Sequence, residues 1–90
     1  MAFLLVTYDL NKETKRPNIV GAIKEISGSW AKLSESSYAV QTEQTPKTVY
    51  DGLKQFIDSN DNLYVINLRK PYYGQGPKDV NDWLESNLPG

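Results

Sequence analysis

The sequence contains no cysteine and no histidine. Zinc sites built from these residues, thiol nucleophiles and imidazole acid–base catalysis are therefore excluded. Any acid–base or metal chemistry must depend on carboxylates, lysine or tyrosine. The absence of cysteine also fits a cytoplasmic protein, because disulfides belong to oxidising compartments.

Long apolar runs and a large excess of either charge are also missing. The longest apolar run covers residues 2–6 and no basic segment precedes it, so we expect neither a signal peptide nor a transmembrane helix. Ten basic and eleven acidic residues give a formal net charge of −1 and a pI near 5.3. Domains that bind nucleic acid strongly usually carry a clear positive excess, so this balance argues against tight DNA binding by a monomer.

The ninety residues have an ordinary globular composition, with 39% hydrophobic and 23% charged residues. This composition favours one folded domain over a disordered chain. We expect a single domain over residues 1–90, with a core at 1–68, a loop at 69–77 and a short terminal helix at 78–88.

The first half of the chain begins with an apolar and β-branched strand that ends at Asp9, which predicts a central place in a sheet. After a polar loop, Ile19, Ile23 and Ile26 recur at helical spacing. Asn18 is the predicted N-cap of this helix, and Gly28 the predicted left-handed C-cap.

The remaining core elements follow from alternation and from turn residues. Residues 29–33 and 37–42 predict a hairpin whose second strand buries alternate side chains. Thr45 caps a second predicted helix that runs to about Ser59. Residues 63–68 carry no charge and predict another central strand, and Asp79 is the predicted cap of the terminal helix.

The order of elements predicts an α+β fold, a ferredoxin-like βαββαβ domain with a short C-terminal helix and both core helices on one face of the sheet. RNA-recognition motifs share this order. Their third strand carries a basic-glycine-aromatic signature, which residues 37–42 lack, so we exclude that class.

Several stretches resemble the CRISPR-associated protein 2 family, and in particular its small stand-alone bacterial and phage relatives. They are LLVTYDLN, SESSYAVQT, TPKTVYDGLKQFIDSNDNLYVINL and a closing helix with WL and NL, and the resemblance covers residues 3–88. It implies a ferredoxin-like homodimer. In members with nuclease activity, the aspartate that ends strand one pairs with its mate across the dimer axis and holds a divalent metal; Asp9 matches that position. Other members use the dimer as a scaffold for duplex DNA.

Asp9 therefore has two interpretations. As a catalytic metal ligand it would hold Mg²⁺ together with Asp9 of a second copy, since a lone carboxylate binds this ion poorly, and the chain would be a metal-dependent endonuclease acting on DNA or RNA. As a loop acid it would accept hydrogen bonds from backbone N–H groups around Asn11. The sequence leaves enzymatic activity open.

Basic and aromatic residues supply further candidates. The candidates for nucleic-acid phosphate follow strands one and four, which are not expected to be neighbours: Lys12, Lys15, Arg16, Arg69 and Lys70. Solvated loops are the alternative for these residues. The candidates for a subunit interface are aromatic: Trp30, Tyr72, Tyr73 and Trp83. Base stacking is the alternative for Trp30, Tyr72 and Tyr73.

Two functions are therefore expected. The first is a cytoplasmic homodimer, similar to CRISPR-associated protein 2, that acts on nucleic acid or scaffolds it. The second is a non-enzymatic dimeric module that binds another protein, which the acidic pI, the few basic residues and the aromatic tail favour.

Overall fold

The computed structural model describes residues 1–90 as a four-stranded antiparallel sheet with three α-helices. The strands are β1 (Ala2–Asp9), β2 (Ser29–Ser34), β3 (Ser37–Thr42) and β4 (Asn62–Asn67), and the helices are α1 (Arg16–Ile26), α2 (Pro46–Leu53) and α3 (Lys78–Asn87). Short 3₁₀ helices cover Glu13–Lys15 and Lys54–Phe56. The strands lie in the order β2-β3-β1-β4, and the fold is ferredoxin-like as predicted.

The core lies between one face of the sheet and the helices α1 and α2. Because side chains alternate along a strand, every second residue of β1 points into this layer. The residues that meet there are Leu4, Val6 and Tyr8 of β1, Tyr38 and Val40 of β3, Leu63 of β4, Ile19 and Ile23 of α1, and Val49 and Leu53 of α2. Full burial of an aliphatic side chain contributes roughly 1.5–3 kcal/mol, so this cluster holds the helices on the sheet.

The terminal helix α3 packs on the opposite face of the sheet, beside β2. The Trp83 ring meets the Phe3 ring edge-on, with centroids 6.4 Å apart, and its Nε1 donates a hydrogen bond to Ser29 Oγ at 2.7 Å. Residues of β3 are buried on both faces of the sheet. Tyr38 and Val40 are buried on the side of the core helices, and Ala39 is buried on the opposite side. The sheet is thus covered on both faces at β3 and on one face at β4.

The ends of the first helix differ from the predicted ones. α1 begins at Arg16 rather than after Asn18, because Pro17 is accommodated in the first turn, where no N–H is needed. Ser27 ends the helix in an extended conformation. No glycine has a positive φ, so the predicted left-handed cap at Gly28 is absent.

The other helix termini confirm one prediction and correct two. The Thr45 side chain accepts a hydrogen bond from the Thr48 N–H, as expected for the N-cap of α2. The regular part of α2 ends at Leu53, and a 3₁₀ turn replaces its predicted continuation. The N-cap position of α3 is Pro77, with Asp79 in the first turn.

β4 is an edge strand, although its uncharged sequence predicted a central one. β1 is central as predicted, and it pairs with β4 antiparallel from Leu4–Asn67 to Asp9–Asn62. The expectation that these strands are not neighbours was therefore wrong. No helix in the structure has both the length and the apolar character that crossing a bilayer requires.

Candidate functional site

Asp9 lies at the carboxyl end of β1, opposite Asn62 of β4, and is exposed to solvent. Its carboxylate takes part in none of the salt bridges or side-chain hydrogen bonds of the chain, in contrast to the nearby Asp61. Alternation along β1 places it on the face that α1 and α2 leave open, with Leu5 and Thr7. The central strand therefore ends in an unpaired acid on the uncovered face.

The loop role considered for Asp9 is performed by Asp61. Its Oδ1 accepts the Asn11 N–H at 2.7 Å, and its Oδ2 accepts the Asp58 N–H at 2.8 Å. Sequence reasoning treated Asp61 as an ordinary turn residue between α2 and β4. No local signal could have singled it out, because its role arises only where this turn meets the loop between β1 and α1.

Lys15 completes this polar cluster rather than facing solvent. Its Nζ lies 2.7 Å from Asp61 Oδ2 and 2.7 Å from Asn11 Oδ1, and it also bonds to Asp58. The Lys15 side chain is 16% exposed and the Asp61 side chain is fully buried. Because both charges are occupied inside the chain, Lys15 is a poor candidate for binding phosphate.

The pKa values in this cluster follow from its hydrogen bonds. The Asp58 N–H, the Lys15 ammonium and the Asn11 N–H together lower the pKa of Asp61 to about 2. Burial by itself would lower the pKa of Lys15, but the hydrogen bonds to Asp58 and Asp61 outweigh it and raise that pKa. Both groups are thus held in their charged forms at neutral pH.

Arg16 is also engaged within the chain. It binds Glu13 through two nitrogens, at 2.7 and 3.0 Å, and donates a further hydrogen bond to the Glu35 carbonyl. Its guanidinium lies 5.6 Å from the centre of the Tyr8 ring. The Tyr8 hydroxyl donates to the same Glu35 carbonyl at 3.0 Å, and burial raises the pKa of Tyr8. Arg16 therefore links the start of α1 to the β2–β3 turn.

The other basic candidates lie at two ends of the sheet. Lys12, three residues after Asp9 in the chain, is exposed and makes no side-chain hydrogen bond or salt bridge. Arg69 donates to the Gly90 carbonyl at 3.2 Å, and Lys70 lies 3.5 Å from Glu85. Since β1 and β4 are antiparallel, the segment after β4 lies near Phe3. Six residues of strand lie between this segment and Asp9, which corresponds to a distance of about 20 Å. The five residues do not form one basic patch.

The uncovered part of the sheet is an apolar face formed by β1 and β4. Leu5 lies opposite Ile66 and Thr7 lies opposite Tyr64, so these four side chains share one side. Tyr64 is 61% exposed and Ile66 is 49% exposed. We call these four residues the open sheet face. Sequence reasoning missed Tyr64 and Ile66 because it assigned β4 to the sheet interior.

The four aromatic candidates do not lie together on this face. Trp30 is 39% exposed and holds the Lys24 ammonium 4.6 Å from its ring centre, on the side of α1. Trp83 is half-buried against Phe3. The Tyr72 hydroxyl binds Glu85 at 3.0 Å, while Tyr73 is 97% exposed. Of the four, Tyr73 is the one with nearly its whole side chain in solvent.

The donors of one chain do not fit a magnesium site. No group of three or more Asp or Glu residues comes together in a way that could hold a metal ion, and Asp58 and Asp61 are occupied by Lys15. Mg²⁺ typically needs one or two carboxylates together with waters or substrate phosphate. A metal role for Asp9 therefore requires a second carboxylate from outside the chain.

Comparison with known proteins places the fold and leaves the chemistry open. No family model matches the sequence. The chain is similar in structure to a hypothetical protein, TT1823, from Thermus thermophilus, with a TM-score of 0.61 and 19% sequence identity. The match covers 84% of this chain and 94% of that one, so the likeness extends over almost the entire ferredoxin-like domain.

Proposed function

We propose that the chain forms a two-fold homodimer through its open sheet face and that this dimer acts on nucleic acid or scaffolds it, as the resemblance to CRISPR-associated protein 2 implies. The observation that carries the proposal is the position of Asp9. It is exposed and unpaired, and it lies at the end of the same face as Leu5, Tyr64 and Ile66.

The dimer would supply what one chain lacks. A two-fold interface uses the same patch on both copies, so an axis near the carboxyl end of β1 would bring the two Asp9 carboxylates together. Such a pair can hold Mg²⁺, which would act as a Lewis acid toward a phosphodiester. Lys12 is the basic side chain nearest in sequence that remains available to a phosphate.

The nuclease form of the proposal is tested by cleavage assays on mixed single- and double-stranded DNA and RNA with and without Mg²⁺. We expect metal-dependent cleavage by the parent and its loss in Asp9→Asn. Asp82→Asn is the control, because Asp82 is an exposed acid on α3 that pairs with Lys78 and does not belong to the open sheet face. Equal cleavage by Asp9→Asn and the parent would remove Asp9 from the mechanism. Binding without cleavage would instead identify a scaffold.

The second candidate is a non-enzymatic dimeric module for another protein. The occupied basic side chains favour it, since Lys15, Arg16 and Lys70 are all paired with acids of the same chain. Absence of binding to a mixed nucleic-acid pool at low salt would support this candidate over the first. A cytoplasmic location is proposed for either function.

A further inference from the structure

The two edges of the sheet differ in how they are protected against pairing with another strand. β2, at one edge, carries Lys32 at its centre, contains a register shift between Lys32 and Ser34, and lies beside α3. Charged side chains, bulges and covering helices are the features by which proteins protect edge strands. β4, at the other edge, is a regular six-residue strand without charge or proline.

The backbone of β4 offers hydrogen-bonding groups along its outer side. The Leu68 N–H donates to the Phe3 carbonyl, and the pairing register continues from that bond. Because bonded and non-bonded positions alternate in an antiparallel ladder, Leu63, Val65 and Asn67 direct their N–H and C=O groups away from β1. The backbone N–H and C=O groups of these three alternate residues are therefore free to bind an extended chain.

A groove runs along this edge beneath α2. It has a volume of about 420 Å³, and Pro46, Lys47 and Tyr50 of α2 line it together with Leu63, Tyr64 and Val65 of β4. Lys47 is the one charged residue in the lining, and its side chain is 84% exposed. Lys47 and Lys54 share the single carboxylate of Asp51, which leaves a local positive excess.

We infer that this edge is a peptide-binding site that takes an extended segment of another protein by strand addition. The added strand would pair with Leu63, Val65 and Asn67. Its alternate apolar side chains would lie in the groove against Tyr50, and an acidic side chain would meet Lys47. Main-chain hydrogen bonds supply affinity in this mode of recognition, and alternate side chains supply selectivity. The inference does not depend on Asp9, because an added strand lies in the plane of the sheet. The groove shares one residue, Tyr64, with the open sheet face.

The test uses the full chain and a synthetic acetylated heptapeptide with alternating valine and threonine and one central glutamate. Amide exchange of the protein is followed by NMR. At a peptide concentration about ten times the Kd, exchange of the Leu63, Val65 and Asn67 amides should slow about tenfold. The amides of β2 should not change.

Charge and backbone controls separate this mode from non-specific contact. Lys47→Glu should weaken binding about two- to fivefold, the range expected for an exposed ion pair. Lys78→Glu is the matched control, because Lys78 also pairs with an acid four residues on at 2.7 Å and is similarly exposed. Two N-methylated forms of the peptide each lack the N–H donors along one of its two edges. The form that lacks the donors facing β4 should lose binding.

Three results would overturn the inference. One is the absence of added protection at roughly millimolar peptide, which corresponds to a binding free energy weaker than about 4 kcal/mol. Another is equal binding of both N-methylated peptides. The third is protection of the same three amides that rises with protein concentration alone, since a second copy of the chain would then cover the edge.

Discussion

The Nζ of Lys15 lies 2.7 Å from Oδ2 of Asp61, although the two residues are 46 positions apart in the chain. This ion pair joins the loop after β1 to the turn before β4. It holds the backbone that follows Asp9, because the same carboxylate also accepts the Asn11 N–H. It therefore positions the segment that carries the candidate acid.

Asp61→Asn should destabilise the protein, because it leaves the Lys15 ammonium without its buried counter-charge. The other carboxylate bonded to Lys15 belongs to Asp58, whose side chain is 60% exposed, so it does not replace the fully buried carboxylate of Asp61. We expect the Tm at neutral pH to fall by roughly 5–10 °C in a domain of this size. Asp58→Asn is the control and should lower the Tm less, since the Asp58 side chain is 60% exposed. Equal losses would contradict the assigned role.

The same pair should make stability depend on acid pH. The pKa of Asp61 is about 2 in the folded protein, against an ordinary value of 3.8. A lowered folded-state pKa stabilises the protein above the unfolded value, and this contribution is lost as pH falls through the folded value. The Tm difference between parent and Asp61→Asn should be constant above pH ~5 and should narrow between pH ~4 and ~2. A difference that stays constant over this range would exclude the linkage.

Tyr8→Phe should weaken the contact between the start of α1 and the β2–β3 turn. It removes the buried hydroxyl that donates to the Glu35 carbonyl, while Arg16 still binds that carbonyl. We expect a loss of about 1 kcal/mol in the free energy of unfolding, measured by urea denaturation. Tyr73→Phe should have no measurable effect, because Tyr73 is 97% exposed. A Tyr8→Phe protein as stable as the parent would show that the hydroxyl contributes nothing.

Ile66→Asp should dissociate the proposed dimer, because it places a charge at the centre of the open sheet face. We expect the dimer Kd, measured by sedimentation, to rise at least about tenfold. Leu33→Asp is a matched control on β2, since Leu33 is 41% exposed and Ile66 49%. A parent that sediments as a monomer at micromolar concentration would refute the dimer and leave Asp9 without a second acid.

The salt dependence of nucleic-acid binding should be shallow. If Lys12 of each subunit is the main phosphate contact, the slope of log K against log salt should be about −2 for duplex DNA. Participation of all five basic candidates in both subunits would give a slope near −9. A steep slope would mean that Lys15 and Arg16 leave their intrachain partners on binding. Lys12→Ala should remove about one unit of slope per subunit.

The parts of the fold that were predicted correctly depend on local periodicity. Ile19 and Ile23 recur at helical spacing and are fully buried. The alternation of Tyr38 and Val40 marks the side of β3 that faces the core helices, but the prediction that only alternate residues are buried was wrong, because Ala39 is buried on the other side. Helix ends were less predictable. The N-cap of α2 at Thr45 has a specific side-chain signal, whereas α1 begins at Arg16 without a capping hydrogen bond.

The place of β4 could not be deduced from its composition. An uncharged strand is typical of the interior of a sheet, but β4 is uncharged while lying at an edge. Its inner side chains meet α2 and its outer ones form the open sheet face, so both faces are apolar for different reasons. The pairing of β1 with β4 also separates Lys12 from Arg69, which strand composition alone does not reveal.

The sequence by itself determined which residues of α1 and α2 face the core, and it excluded thiol and imidazole chemistry. These properties depend on residue type and on spacing within one element, and both are local. Tertiary structure alone decided that Asp61 holds the loop while Asp9 stays free, and that Lys15 and Arg16 are occupied. Those outcomes depend on which distant segments meet, because a buried charge takes whichever partner the fold brings to it.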